Sequence, residues 1–249
     1  MVQEKKNGEK GVGFVMHELR KHDVNAENCF ASYLQKYLYP RLGLEYCKPI
    51  HDDVMQKQGI DVKIRVRGNE YNIDEKLAAH YINSTKTNFV LELVTPNGYK
   101  GWFLDDNLGT DIYAFIWGRL DETKFRPIPT PKQTPYFQTM KEEDITGAFV
   151  LFVRKRALRD WFEKKGFTAD ILFDRALGLR SKPVGDNPVE WEKLFDKDNK
   201  SLYGVLGLAY SPRLVERPVT IVVTQKLLQR LAFRSCFVTD KAFFTIRGG

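Results

Sequence analysis

This 249-residue chain predicts an α/β fold, a mixed sheet with flanking helices, on three observations. Residues 60–77 alternate apolar and polar side chains on both sides of a Gly-Asn pair, the mark of a β-hairpin. Phe30, Tyr33, Leu34, Tyr37 and Leu38 recur at helical spacing just upstream. Further along, apolar runs of strand length over 89–94, 111–117, 148–153 and 219–223 are interleaved with helical patterns over 154–165, 170–177 and 225–232.

Hydrophobic residues make up 43% of the chain, enough for a sizeable core. The net charge of +7 favours an anionic partner, nucleic acid first. Three scattered cysteines (Cys29, Cys47, Cys236) do not suit a disulfide framework or a cysteine zinc site, which fits a reducing cytoplasm. The opening MVQEKKNGEKGVG has no apolar core of a signal peptide. No apolar run reaches the ~18–20 residues that span a membrane, so no membrane partner is expected. The division expected is a mobile segment over 1–24, a core over 25–120, a proline-rich loop over 121–147, and a basic α/β extension over 148–249 that completes or packs on the core. A homo-oligomer is compatible with all of this.

The elements follow in order. A short helical turn is expected over 14–20. Asn25 is the expected N-cap of a helix over 26–38, with Glu27 in its first turn, where the helix dipole favours acid. Pro40 and Gly43 end it. A polar lead-in, His51 to Gln58, precedes the hairpin. The 89–94 run is nearly all apolar and reads as a buried strand, with Glu92 as its one carboxylate. Pro96-Asn97-Gly98 is a turn. Gly166 is the expected C-cap of the 154–165 helix, and Thr168 and Thr224 the N-caps of the two that follow. The four histidines (His17, His22, His51, His80) do not cluster at ligand spacing.

The hairpin carries the chemistry. With Gly68-Asn69 as a two-residue turn, Asp61 lies opposite Lys76 and Lys63 opposite Asp74. Asp61, Asp74 and Lys76 then share the polar face of the ribbon. Ile60, Val62, Ile64, Tyr71 and Ile73 share the other, with Glu75 among them. Two carboxylates and a lysine on one face suit a hard divalent cation and a phosphate. They also suit an exposed ribbon with an ordinary cross-strand ion pair.

Gly59-Ile60-Asp61, a hairpin, then Ile73-Asp74-Glu75-Lys76 resembles the PD-(D/E)XK nuclease superfamily, the restriction-endonuclease-like fold. The resemblance covers roughly 27–117. It implies a restriction-endonuclease-like core and a DNA endonuclease dependent on Mg²⁺ or Mn²⁺. It matches Asp61 and Asp74 to the metal-holding carboxylates and Lys76 to the motif lysine, with Glu75 lending a backbone carbonyl. It also implies that a glutamate on the preceding helix joins the metal, and Glu27 is the candidate. Asp53 and Gln58 are candidates near the metal or the substrate backbone. The proline common before the first Asp is absent; Ile60 stands there.

Between Arg154 and Lys182 nine Lys/Arg face four Asp/Glu, a balance of +5. Arg154, Lys155, Arg156, Arg159, Lys164 and Lys165 are candidate contacts to nucleic-acid phosphates; a solvated helix face is the other reading. Two further functions stay open: a non-catalytic nucleic-acid-binding protein that keeps the nuclease fold, and an interaction protein whose acidic ribbon is structural.

Overall fold

The computed structural model describes residues 24–84, 87–125, 137, 139–183, 187, 189–195, 204–212 and 217–248. The expected turn over 14–20, the mobile segment up to residue 23 and the prolines of 126–136 lie outside them.

The chain is a mixed α/β structure. A helix over 24–37 (α1) leads into β1 (Tyr46–Pro49), a short helix α2 (Asp53–Lys57), and the β2 (Val62–Val66) and β3 (Asn69–Leu77) hairpin. Then come β4 (Asn88–Val94), β5 (Ile112–Leu120), β6 (Ile145–Arg154), α3 (Lys155–Glu163) and α4 (Ala169–Arg180). The chain continues through β7 (Glu190–Glu192), β8 (Val205–Tyr210), β9 (Val219–Thr224) and α5 (Gln225–Leu231), and ends in a second hairpin, β10 (Arg234–Val238) and β11 (Phe243–Gly248).

Two sheets result. One has seven strands in the order β1-β2-β3-β5-β6-β10-β11, and the other four in the order β4-β9-β8-β7. All pairings are antiparallel except β3 with β5. β5 lies near the middle of the larger sheet and is buried on both faces, which explains its unbroken apolar run from Ile112 to Trp117. One face packs on α1 through Phe30, Tyr33 and Leu34, and on Leu38 just after it. The other meets the four-stranded sheet and α3–α5, with the Phe89 and Phe115 rings 4.7 Å apart.

Several expectations are corrected. The 89–94 strand does not follow the hairpin into its sheet: β3 pairs with β5, and β4 crosses to the second sheet beside β9. It alternates rather than being buried throughout, since Val90 is exposed and Glu92 partly so. Asn25 is not a cap, because the helix is already formed at residue 24 and Asn25 Nδ2 donates instead to the carbonyls of Phe137 (2.5 Å) and Met140 (3.0 Å). Within 148–249, the segment expected to complete or pack on the core, β6, β10 and β11 continue the large sheet. Thr168 and Thr224 do cap α4 and α5, accepting from the N–H of Ile171 and Leu227 (both 3.3 Å).

The hairpin turn is Arg67-Gly68, not Gly68-Asn69. Both turn residues have positive φ (49° and 75°), as primed two-residue turns demand. Gly68 N–H is held by the Glu45 carboxylate (3.1 Å), and Asn69 Nδ2 donates to the Arg67 carbonyl (3.3 Å). That support lets an arginine take a conformation usually left to glycine or asparagine. Val62 pairs with Ile73 and Val66 with Asn69. The register therefore moves by two residues, so every side chain keeps its expected face.

Candidate functional site

The shift changes which groups meet. The ladder ends at Val62–Ile73, where Asp61 N–H also donates to the Ile73 carbonyl (2.9 Å), so Asp61 comes beside Asp74 and is not opposite Lys76. Asp61 Oδ2 accepts from Glu75 N–H (2.7 Å), which fixes its carboxylate beside β3. Asp74 is 2% exposed, and its Oδ1 is 2.8 Å from Lys76 Nζ. Asp74 Oδ2 is buried and has no hydrogen-bond partner. The Lys76 side chain remains 25% exposed, with its ammonium 4.9 Å from the Trp102 ring centroid.

These side chains line a cleft of about 1200 Å³. Glu27, Asn28, Ser32, Gln35 and Lys36 of α1 line it as well, as do Asn88, Val90 and Trp102. Glu27 is exposed there, close enough to Lys76 for its charge to help keep that ammonium protonated. Gln58 is exposed but does not line the cleft; Gln56 does, its Nε2 held by the Ile50 carbonyl (2.9 Å). The Asp53 side chain lies outside the described ones. Glu92 is not part of the lining.

Burial sets the electrostatics. It pushes the Asp74 carboxyl up to about 7, against the pull of the Lys76 ammonium and with a further push from Asp61. Burial also takes Glu75 up to about 8, although the Tyr39 hydroxyl donates to its Oε1 (2.6 Å). Burial and the neighbouring Glu75 hold the Tyr39 phenol well above its usual range. Lys76 ends above the ordinary lysine value because burial, which lowers it, is outweighed by Asp74 and Asp61.

Among the described residues no three His, Cys, Asp or Glu side chains form a ready-made metal cage. The donor set still fits Mg²⁺ or Mn²⁺. Mg²⁺ is commonly held by one or two carboxylates, with water and substrate phosphate completing its shell. Asp61 and Asp74 are neighbouring carboxylates, and the buried Asp74 Oδ2, without a hydrogen-bond partner, calls for a proton or a cation. The Glu75 carbonyl lies between Asp74 and Lys76 on the same strand.

The basic segment divides. Lys155 is buried, and its ammonium donates to the carbonyls of Asp105 (2.7 Å) and Leu108 (3.3 Å). Burial, with Arg159 nearby, holds it below the usual lysine range. Arg159 donates to the Phe103 carbonyl from Nε (3.0 Å) and Nη2 (2.8 Å) and pairs with Asp106. These two are therefore committed internally and cannot serve as phosphate contacts without breaking those bonds. Arg154, Arg156, Lys164 and Lys165 are exposed, Arg154 over the Phe233 ring at 5.6 Å. None of the six lines the cleft.

Sequence reasoning missed Tyr39, Gln56 and Trp102. Tyr39 and Trp102 carried no motif signal. Gln56 sat two residues from a chosen glutamine, and only the turn of α2 decides between them. No helix among the described residues is long and apolar enough to cross a membrane. No protein-family model matches the chain, and neither does any curated protein or solved structure.

Proposed function

We propose that this chain is a Mg²⁺- or Mn²⁺-dependent endonuclease that hydrolyses phosphodiester bonds in DNA, with a restriction-endonuclease-like core. The observation that carries the reading is the juxtaposition of Asp61 and Asp74 at the end of the hairpin ladder, with Lys76 paired to Asp74, in a wide cleft. The helix, antiparallel hairpin and parallel β3–β5 pairing around it support the core assignment.

Asp61 and Asp74 would hold the cation, with the Glu75 carbonyl and Glu27 as further candidate donors. When bound, the cation offsets charge that develops on the phosphoryl group and lowers the pKa of a coordinated water. Lys76 orients the attacking water and stabilises the developing negative charge. The cleft itself supports a cation requirement. Its lining sets Asp61 beside the buried Asp74, whose Oδ2 has no hydrogen-bond partner, so a cation there would favour the ionised form of that carboxyl.

Supercoiled plasmid incubated with Mn²⁺ tests the reading. The wild type nicks or linearises it, EDTA stops the reaction, and Asp61→Ala does not cut. Cutting by Asp61→Ala at the wild-type rate overturns the site. Tight, metal-independent DNA binding without cleavage identifies a binding module instead, and neither activity identifies an interaction protein.

A further inference from the structure

We infer that the segment Trp102–Asp111, locked by Lys155 and Arg159 of α3, is the positioning frame of the Asp61–Asp74–Lys76 site. This inference rests on the proposed nuclease reading. The segment reaches each part of the site by a separate bond. At its start, the Trp102 ring lies under the Lys76 ammonium at 4.9 Å, and the Trp102 carbonyl accepts from Tyr113 OH (3.2 Å). Near its end, Gly109 N–H donates to the Gln58 carbonyl (3.0 Å) and Thr110 Oγ1 to the Gly59 carbonyl (2.8 Å). These bonds fix the backbone two and three residues before Asp61. Asp111 Oδ2 accepts from Asn72 N–H (2.8 Å), and Asn72 Nδ2 returns a bond to the Gly109 carbonyl (2.8 Å). Asn72 lies two residues before Asp74.

Steric fit points the same way. Gly59 has φ +69°, and a Cβ there would stand 2.6 Å from Thr110 Oγ1 and 3.3 Å from Asp74 Oδ2. The segment, the lead-in to Asp61 and the buried carboxylate are thus in contact at one point, where only a glycine fits. A displaced 102–111 segment moves all three site residues together.

The lock comes from α3, and neither Lys155 nor Arg159 lines the cleft. Lys155 takes the Asp105 and Leu108 carbonyls, and its N–H takes the Asp111 carbonyl (2.9 Å). Arg159 takes the Phe103 carbonyl with two nitrogens. Four of the segment's carbonyls are therefore tied to the first turns of α3. Their hydrogen bonds go to the segment and not to Asp61, Asp74 or Lys76, although the Lys155 charge also reaches Asp74, so they are positioning residues.

Thr110→Val and Thr110→Ser test this, with Lys155→Met as a second site. Thr110→Val keeps the side-chain shape but removes the bond to Gly59. All are assayed on plasmid DNA with Mn²⁺ well below each variant's melting temperature. Positioning predicts that Thr110→Val and Lys155→Met lose about 10- to 100-fold in kcat, as loss of outer-shell support typically does. It also predicts little change in KM, recovery of activity in Thr110→Ser, and an unchanged salt dependence of DNA binding in Lys155→Met. Wild-type kcat per folded molecule in both Thr110→Val and Lys155→Met overturns the inference, as does a fall in the salt slope of Lys155→Met with kcat unchanged. A wild type that cuts nothing overturns the nuclease reading itself, which separates the two failures.

Discussion

Two groups of charged side chains carry comparable weight in the sequence and have opposite fates in the fold. The hairpin group, Asp61, Asp74, Glu75 and Lys76, is drawn into a cleft wall where burial raises two carboxyls to about 7 and about 8. The α3 group sends Lys155 and Arg159 inward to loop carbonyls and leaves Arg154, Arg156, Lys164 and Lys165 at the surface. A charge held out of water interacts strongly with its few neighbours, whereas an exposed one is screened by solvent and salt. The difference teaches that charge count locates neither a binding face nor a site; desolvation and partners do.

The largest expected effect is on chemistry. Lys76→Ala lowers kcat by about 10²–10³-fold in single-turnover plasmid cleavage, the range for removing one preorganised stabilising group. If the α3 cations matter as much as the hairpin group, neutralising Arg154, Arg156, Lys164 and Lys165 together costs as much kcat, and the comparison breaks.

Next is stability. Asp74 carries a carboxyl whose folded pKa is about 7 against an ordinary 3.8. A raised carboxyl pKa means the folded state holds the proton more tightly. Its stabilising contribution is therefore complete below pH ~4 and is lost as pH rises through 7. In EDTA at pH 8, Asp74→Asn is expected to raise Tm relative to wild type, by a free energy of up to about 4 kcal/mol at ~1.4 kcal/mol per decade. The gain fades below pH ~5. A Tm difference that does not vary with pH would show that Asp74 is not the strained carboxyl described here.

A smaller effect concerns the exposed cations. If they touch duplex phosphates, each neutralisation lowers the log–log salt slope of DNA binding by about 0.9, alike for all sequences. An unchanged slope returns α3 to a solvated face. The smallest is Asp160→Asn, which removes the exposed Arg156–Asp160 pair (3.9 Å, with Arg156 91% exposed) and should shift stability by less than about 0.5 kcal/mol in urea unfolding.

The readable part of the site was its spacing and its face. Alternation from Ile60 to Leu77 placed Asp61, Asp74 and Lys76 together, and a register error of two residues left that intact because strand faces repeat every two. The true turn was hidden because Arg67 adopts a positive φ that sequence statistics disfavour, supported by a glutamate 22 residues earlier. The crossing of β4 to the second sheet was hidden too, since an apolar strand does not record which sheet receives it. The inward fate of Lys155 and Arg159 depends on carbonyls about 50 residues away, which no local pattern encodes.

The central claim is that the hairpin group holds a divalent cation and that its lysine does not. Calorimetric Mn²⁺ titration of wild type, Asp74→Ala and Lys76→Ala measures this directly. A protonated lysine has no lone pair to offer, and like charges about 4 Å apart repel by about 4 kcal/mol at an effective dielectric of about 20, before screening. The account predicts that wild type binds Mn²⁺, that Asp74→Ala loses that binding, and that Lys76→Ala keeps it or binds more tightly. Equal loss in both variants, or no binding by wild type, would contradict it.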